Sequence, residues 1–172
     1  MFNVANLMAA FTALPVQGLS FEALVKATHQ ISGVAGRMEL FASIKASVLV
    51  DYAHTPDALK QALIAARVHT QGKLTCIFGC GGNRDASKRA IMGDIAQQYA
   101  DNIVLTQDNS RNEDPTSIIC DIQQGMRSLN SHQTLNIELD RERAITCAWQ
   151  TSNASDMILV AGKGHEDYIE IN

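Results

Sequence analysis

Two patterns of hydrophobic and polar positions divide this chain into a short segment and a longer domain. Residues 2–14 place apolar side chains at helical spacing, and Ser20 is a good N-cap for a second helix that ends near His29. After these helices the pattern changes to short apolar runs that alternate with longer amphipathic stretches. We therefore predict a two-helix segment over residues 1–34 and a separate domain over residues 37–172.

The longer domain alternates between predicted strands and predicted helices. Its short apolar runs are typical of strands, and Thr55-Pro56 and Asp114-Pro115 are typical helix starts. This alternation predicts an α/β fold, a Rossmann-like and mostly parallel sheet with helices on both faces. The predicted strands cover residues 38–44, 47–52, 73–79, 102–107, 134–139 and 156–161, and the predicted helices cover 56–69, 87–99, 115–129 and 141–150.

The composition excludes several classes of function. The formal net charge of −4 argues against a broad basic face that binds nucleic acid. No apolar run approaches the roughly 20 residues of a membrane-spanning helix, and the N-terminus lacks the basic residues of a secretory signal. We therefore expect neither a nucleic-acid nor a membrane partner. The four cysteines have no metal-ligand spacing, so we expect reduced, mostly buried thiols in a cytoplasmic protein.

Four polar, glycine-rich segments each follow a predicted strand. Ligands of open parallel sheets bind at the carboxyl ends of the strands, so we expect these segments to converge at one edge of the sheet. They combine guanidinium groups, carboxylates and amides, which are the groups that hold a small zwitterion. The segments are residues 51–57, 79–85, 108–114 and 162–167.

The glycine-rich turn at residues 79–82 has two interpretations. A dinucleotide-binding fingerprint would need glycine at position 84, where the chain has Arg84. The glycines can serve only a tight turn, or their amides and Arg84 can bind a carboxylate or phosphate near a helix N-terminus. The chain also lacks a G-x-x-x-x-G-K-[ST] phosphate loop, so we do not expect it to cradle the ATP phosphates alone.

The segments at residues 108–114 and 162–167 also have both functional and structural interpretations. Asp108 and Arg111 can hold the ammonium and carboxylate of an amino acid, whereas Asn109 can either assist them or cap a helix. Glu166 can bind an ammonium group or lie in a solvated acidic turn. The residues themselves do not decide between these roles.

The loop after the second predicted strand carries Asp51 and His54, three residues apart. Such a pair can do acid–base work, although a structural or ligand-positioning role is more common. No serine or cysteine nucleophile motif accompanies it, so we do not expect triad chemistry.

Six stretches in a fixed order carry a family resemblance: FNVANLMAAF, GRMELF, VDYAHTPDAL, FGCGGNRDASKRAIMG, DNSRNEDP and VAGKGHEDY. Together they resemble the Mur ligases of peptidoglycan synthesis, and most closely the members that add diaminopimelate. The resemblance covers nearly the whole chain. It implies that residues 1–34 are the last helices of a central ATP-binding domain and that residues 37–172 are the C-terminal ligase domain, cut short at its end.

This resemblance implies an ATP-dependent amide ligase of the bacterial cytoplasm. In the family, ATP phosphorylates the carboxylate of UDP-N-acetylmuramoyl-L-alanyl-D-glutamate, a UDP-N-acetylmuramoyl-dipeptide. The amine of meso-diaminopimelate then attacks the acyl phosphate, giving an amide, ADP and phosphate. The ligands of Mg2+ are expected in the central domain, outside this chain. We therefore expect this chain alone to be a monomer without catalytic activity.

The resemblance also implies site residues. For ATP these are Asn6, Arg37, Asp51, Tyr52 and His54. For diaminopimelate they are Arg84, Asp108, Asn109, Arg111, Gly162 and Glu166, with no metal site. Arg111 is the residue that best distinguishes diaminopimelate from lysine, because diaminopimelate has a second carboxylate that lysine lacks. The family motif D-N-P-R has Ser110 here in place of proline. The alternatives are a lysine-adding or folylpolyglutamate-type ligase, or a non-catalytic amino-acid-binding module.

Overall fold

The computed structural model describes residues 2–30 and 33–171, and only the backbone of residues 2–4. The chain forms two compact units, Met1–Gly33 and Val34–Asn172. The assignment of the first unit to a central ATP-binding domain stays a prediction. No helix in the described ranges is both long and apolar enough to span a membrane.

The first unit contains the two predicted helices. They are α1 (Phe2–Ala13), which continues into a 3-10 turn (Leu14–Gln17), and α2 (Phe21–Thr28). The Ser20 hydroxyl accepts a hydrogen bond from the Ala23 N–H at 3.2 Å, which confirms Ser20 as the N-cap of α2. Phe11 and Phe21 pack edge to face with ring centroids 5.7 Å apart.

The second unit is a six-stranded sheet with four helices. Its strands are β1 (Glu39–Phe41), β2 (Ser47–Asp51), β3 (Leu74–Phe78), β4 (Asn102–Leu105), β5 (Thr134–Ile137) and β6 (Met157–Ala161), and its helices are α3 (Pro56–Val68), α4 (Ser87–Tyr99), α5 (Pro115–Gln123) and α6 (Arg141–Thr151). The strand order is β1-β2-β6-β3-β4-β5. Only β1 pairs antiparallel, and the other four pairings are parallel. The predicted mostly parallel α/β sheet is confirmed.

Alternation along the strands gives the sheet two apolar faces. Phe78 and Leu105 belong to the larger core, together with side chains of α3, α4 and α5. Ile77 and Val104, one position earlier in each strand, belong to the smaller core with α6. Because successive strand side chains point to opposite faces, helices cover both faces as predicted.

Three helices of the second unit begin at the predicted caps. The side chains of Thr55, Asp114 and Asp140 each accept a hydrogen bond from the backbone N–H three residues later in the chain, at 3.4, 3.1 and 3.0 Å. Proline follows two of these caps at the first helical position, where its missing N–H costs nothing. Each of these helices therefore begins at the carboxyl edge of the sheet, after the loop that follows a strand.

Two element boundaries differ from the predictions. The strand expected over residues 38–44 is only the three-residue edge strand β1. Helix α5 ends at Gln123 instead of near residue 129, because Gly125 and Met126 bond back three residues in a tighter turn. Gly125 there lies against the backbone of Ala90 in α4, where a Cβ would overlap the carbonyl oxygen.

The cysteines divide evenly between core and surface. Burial raises the pKa of Cys76 to about 12 and that of Cys80 to about 11, so both stay protonated. Cys120 and Cys147 are exposed. The expectation of mostly buried thiols is therefore wrong for two of the four, which belong to α5 and α6.

Candidate functional site

The four strand-exit segments meet around one cavity of about 600 Å3 at the carboxyl edge of the sheet. Its charged lining side chains are three basic and three acidic, which suits a zwitterion better than a purely anionic ligand. The expected convergence is confirmed. The lining residues are Tyr52, His54, Thr55, Gly79, Cys80, Gly81, Arg84, Asp85, Lys88, Asp108, Asn109, Arg111, Gly162, Glu166 and Tyr168.

Close backbone packing explains the glycine-rich turn after β3. A Cβ at Gly79 would overlap the carbonyl oxygen of Thr106, and one at Gly82 would overlap that of Ser110. The loop after β4 lies directly against this turn, and only glycine permits that approach. Arg84 follows the turn, is exposed and lines the cavity, so its role in binding an anion stays a prediction.

Asn109 lies buried at the centre of the site and bridges three groups. Its Oδ1 accepts from Lys163 Nζ at 2.9 Å and from the Glu170 N–H at 2.8 Å, and its Nδ2 donates to Glu166 Oε2 at 3.2 Å. Asp114, not Asn109, caps the following helix. The capping interpretation is therefore wrong for Asn109, whose amide holds the site together.

A buried lysine compensates the acidic side of the cavity. The Lys163 side chain is 7% exposed, and its Nζ lies 3.3 Å from Glu166 Oε2 and 3.9 Å from Asp108 Oδ1. Burial alone would raise the pKa of Glu166. The hydrogen bonds from Lys163 and Tyr52 outweigh it, and the pKa of Glu166 is lowered below its ordinary value. Glu166 is thus ionised at neutral pH and is not part of a solvated turn.

Replacing Lys163 with methionine is expected to raise the pKa of Glu166. The variant keeps the burial that disfavours the carboxylate and removes a hydrogen bond and a charge that favour it. A carboxyl with a lowered folded pKa stabilises the fold above its ordinary pKa, and this contribution is lost as pH falls through the lowered value. The stability lost in the variant is therefore larger at pH 7 than at pH 3.

A carbon-13 NMR titration of the Glu166 carboxyl measures this change directly. Lys73→Met is the matched control, because Lys73 is exposed and lies at the opposite edge of the sheet. An unchanged Glu166 pKa in Lys163→Met would show that the hydrogen bonds from Tyr52 and Asn109 suffice to keep this carboxyl ionised.

Arg111 is held by carbonyl groups on one side and by a carboxylate on the other. Its Nη1 donates to the carbonyl oxygens of Gly82 and Asn109 at 3.0 and 3.3 Å, and its Nη2 lies 2.9 Å from Glu170 Oε2. Its φ of 52° is in the left-handed region, which is uncommon outside glycine. The backbone therefore turns sharply here and carries the guanidinium into the cavity.

Ser110 replaces the backbone restraint of proline with hydrogen bonds. It is 1% exposed, and its hydroxyl accepts from Gln107 Nε2 at 3.1 Å. Its carbonyl oxygen accepts from the Glu113 N–H at 3.0 Å. These contacts fix the loop before Arg111 without a pyrrolidine ring.

Arg89 of α4 contacts both the loop after β3 and the loop after β4. Its side chain is 3% exposed, and its Nη1 lies 2.8 Å from both Glu113 and Asp121. Its Nη2 donates to the Gly81 carbonyl oxygen at 3.3 Å. Glu113 in turn accepts from the Asn83 N–H, and the hydrogen bond from Arg89 lowers the pKa of Glu113. Arg89 thus fixes the turn before Arg84 and the loop after Arg111 relative to each other.

The residues that the resemblance assigns to ATP fall into two places. Asn6 is exposed on α1, in the first unit. In the second unit the Arg37 guanidinium lies 4.5 Å from the Tyr52 ring centroid, and the His54 ring packs edge to face on the same ring at 4.8 Å. Tyr52 Oη donates to Glu166 Oε1 at 3.1 Å, so Tyr52 contacts both sets of predicted residues.

Asp51 and His54 do not form an acid–base pair. Asp51 Oδ2 accepts from the Met38 N–H at 2.9 Å, and Oδ1 accepts from the Ala53 N–H at 2.8 Å. His54 Nδ1 lies 2.8 Å from the Tyr52 carbonyl oxygen. Both side chains thus fix the backbone after β2, and the acid–base interpretation is wrong. A role in positioning a ligand stays a prediction.

The part of the chain that the structure describes does not group three or more His, Cys, Asp and Glu side chains as a metal site requires. The resemblance places the ligands of Mg2+ outside this chain, and we derive no step through this ion.

Three residues with central positions had no predicted role. No local pattern indicated a role for Lys163 except its place between two glycines. Arg89 lies in the first turn of α4, where no pattern marks it as functional. Glu170 lies beyond the four strand-exit segments, and its backbone contacts with Asn109 and Arg111 bring it to the site. All three depend on contacts between distant parts of the chain.

Residues 36–164 match the family described as Mur ligase, glutamate ligase domain. This match covers more than half of the chain. It includes all the residues that line the cavity except Glu166 and Tyr168.

Solved structures give three similarities. The chain is 42% identical to a UDP-N-acetylmuramoyl-L-alanyl-D-glutamate–2,6-diaminopimelate ligase, with a TM-score of 0.75 over 99% of this chain and 35% of that one. It is 19% identical to the UDP-N-acetylmuramate-alanine ligase MurC of Thermotoga maritima, with a TM-score of 0.67 over 94% and 34%. It is 20% identical to the bifunctional folylpolyglutamate synthase/dihydrofolate synthase of Yersinia pestis, complexed with AMPPNP and a Mn ion, with a TM-score of 0.66 over 86% and 32%.

The chain spans about a third of the length of these proteins. The two similarities at 19% and 20% identity show a shared fold alone. The similarity at 42% identity extends over nearly every residue of this chain, including both units.

Proposed function

Since the chain belongs to the Mur ligase family, we propose that it holds the incoming amino acid of an ATP-dependent amide ligase, and that this amino acid is meso-diaminopimelate. Mur ligases are ATP-dependent amide ligases. The proposed acceptor is UDP-N-acetylmuramoyl-L-alanyl-D-glutamate, which the name of the 42% identical structure contains. The whole enzyme is proposed to act in the cytoplasm as a monomer, without nucleic-acid or membrane partners.

The observation that carries this proposal is the pairing of guanidinium and carboxylate groups in one cavity. Arg84 and Arg111 line it together with Asp108 and Glu166. One end of diaminopimelate is itself a zwitterion, and its carboxylate and ammonium match an arginine and an ionised acid at hydrogen-bonding range. Lysine ends in an ammonium alone and would leave Arg111 without a ligand partner.

The same chemistry indicates which amine of diaminopimelate reacts. An amine must lose its proton before it can attack an acyl phosphate, and neighbouring carboxylates favour the protonated form. An amine held beside Glu166, which is ionised, therefore stays an ammonium and serves for recognition. We propose that this site binds the end of diaminopimelate that does not react and leaves the amine at the other end free to reach the acceptor.

The nucleotide would be held by the second proposed set of residues. Arg37 can approach phosphates, Asp51 can accept from ribose hydroxyls with lone pairs that its backbone bonds leave free, and Tyr52 and His54 can frame the nucleotide. ATP would supply the phosphoryl group that activates the acceptor carboxylate. Asn6 belongs to the proposed nucleotide set as well. These assignments rest on the family resemblance and on the grouping of Arg37, Tyr52 and His54.

Calorimetric titration of this chain with meso-diaminopimelate, L-lysine and L-glutamate tests the proposal. We expect saturable binding of meso-diaminopimelate and no saturation by lysine over the same concentrations. Equal binding of lysine would contradict the proposed substrate, and preferential binding of glutamate would favour a folylpolyglutamate-type ligase. With ATP, Mg2+, acceptor and meso-diaminopimelate together, the chain alone is expected to release no ADP.

A further inference from the structure

One carboxylate of the chain already occupies the guanidinium proposed to select the substrate. Glu170 Oε2 lies 2.9 Å from Arg111 Nη2. The Arg111 side chain is 18% exposed, whereas that of Glu170 is 44% exposed. A ligand that approaches from the cavity therefore meets a fixed arginine whose outer nitrogen is paired with a more accessible acid.

The backbone, not this ion pair, fixes the position of Glu170. The Arg111 N–H donates to the Glu170 carbonyl oxygen at 3.0 Å, and Arg111 pairs with Ile171 in a parallel bridge. The Glu170 N–H donates to Asn109 Oδ1 at 2.8 Å. The carboxylate can thus leave Arg111 while its backbone stays in place.

Arg111 also keeps its orientation without Glu170. Its Nη1 donates to the carbonyl oxygens of Gly82 and Asn109, which belong to two different loops. Only Nη2 faces Glu170, so removal of that carboxylate frees one side of the guanidinium and leaves the other side anchored. A purely structural role for Glu170 in holding Arg111 is therefore not required by the geometry.

We propose that Glu170 is a specificity-determining residue that competes with the ligand for Arg111. The inference rests on the proposed function, in which a second ligand carboxylate binds Arg111. Such a carboxylate replaces that of Glu170, so Arg111 exchanges one anion for another. A ligand without this carboxylate leaves the internal pair intact and gains no contact with Arg111. The pair thus lowers the affinity for the correct ligand and keeps the empty arginine from binding unrelated anions.

Calorimetry on Glu170→Gln in this chain gives the first test. A partly exposed arginine–carboxylate pair is weak, so meso-diaminopimelate is expected to bind the variant about two- to fivefold more tightly, with lysine unchanged. Glu138→Gln is the matched control. Glu138 Oε2 lies 3.0 Å from Arg143 Nε in a surface ion pair, and neither residue lines the cavity. Unchanged or weaker meso-diaminopimelate binding in Glu170→Gln overturns the inference.

A second measurement separates this inference from the proposed function. Glutarate, which carries carboxylates but no amine, is added to the unchanged chain and to Glu170→Gln. The NMR signal of the Arg111 side-chain N–H reports its binding. We expect its midpoint to fall about two- to fivefold in Glu170→Gln. If it falls while meso-diaminopimelate binds neither protein, the proposed function fails and the competition stands. If the midpoints are equal, the competition is overturned whatever meso-diaminopimelate does. Glu170→Ala also keeps the backbone pairing, and we expect it to give the same results as Glu170→Gln in both the calorimetry and the glutarate titration.

Discussion

Arg111→Ala is expected to weaken binding of meso-diaminopimelate about 10- to 100-fold and to leave the weak binding of lysine unchanged. Hydrogen bonds to charged groups contribute about 1.5–3 kcal/mol, and 1.4 kcal/mol corresponds to a factor of ten. The variant also leaves Glu170 without its partner at 2.9 Å, and this free carboxylate repels that of the ligand. The loss is measured by calorimetry on the purified chain.

Two further variants make the Arg111 result specific. Arg111→Lys keeps the charge but not the planar fork, so it is expected to recover only part of the lost affinity. Arg127→Ala removes the same charge from an exposed position outside the cavity, and it is expected to leave binding intact. Equal losses for lysine and meso-diaminopimelate in Arg111→Ala would mean that Arg111 supports the loop and does not select the ligand.

Gly82→Ala is expected to reduce the free energy of unfolding by about 3 kcal/mol or more and to abolish ligand binding. The new Cβ would overlap the Ser110 carbonyl oxygen, a backbone atom that cannot rotate away. Gly82 also donates to the Asn109 carbonyl oxygen at 2.8 Å and accepts from Arg111 at 3.0 Å. Separating the two loops therefore breaks the contacts that orient the proposed carboxylate-binding group.

The neighbouring glycine provides the matched control for this prediction. A Cβ at Gly81 would meet Arg111 Nη1 at 3.2 Å, and a small shift of that side chain would relieve the contact. Gly81→Ala is therefore expected to cost less than about 1 kcal/mol of stability and to reduce binding only modestly. Urea unfolding of both variants measures the difference. Equal stabilities would show that the loop after β4 shifts to accommodate a side chain at Gly82.

Parallel topology is the reason that the sequence predicted the location of the site. Parallel strands all end at the same edge of a sheet, and the strands β2, β6, β3 and β4 are neighbours here, so the segments that follow them converge. Arg84, Asp108 and Glu166 line one cavity for that reason. The caps at Thr55 and Asp114 were predictable because a cap depends on residues three positions apart.

The contacts that the sequence did not predict are those between distant side chains. Asp51 and His54 are three residues apart, yet the Asp51 carboxylate accepts from two backbone N–H groups instead. Lys163 is buried against an amide and two acids that lie 54, 55 and 3 residues away. Local patterns carry no information on which acid a buried lysine meets, because loop packing decides it. Sequence alone also left both roles of Asn109 open for that reason.

The strand order has a consequence for how the sheet is assembled. Strand β6 lies between β2 and β3, so in the described sheet the strands β1-β2 and β3-β4-β5 are linked by the strand pairings of residues 157–161. A chain growing on the ribosome can form two separate strand groups early, but it cannot unite them until β6 emerges. Gly162 and Glu166 follow β6 directly. The cavity therefore cannot form during synthesis before β6 has emerged and has joined the two strand groups.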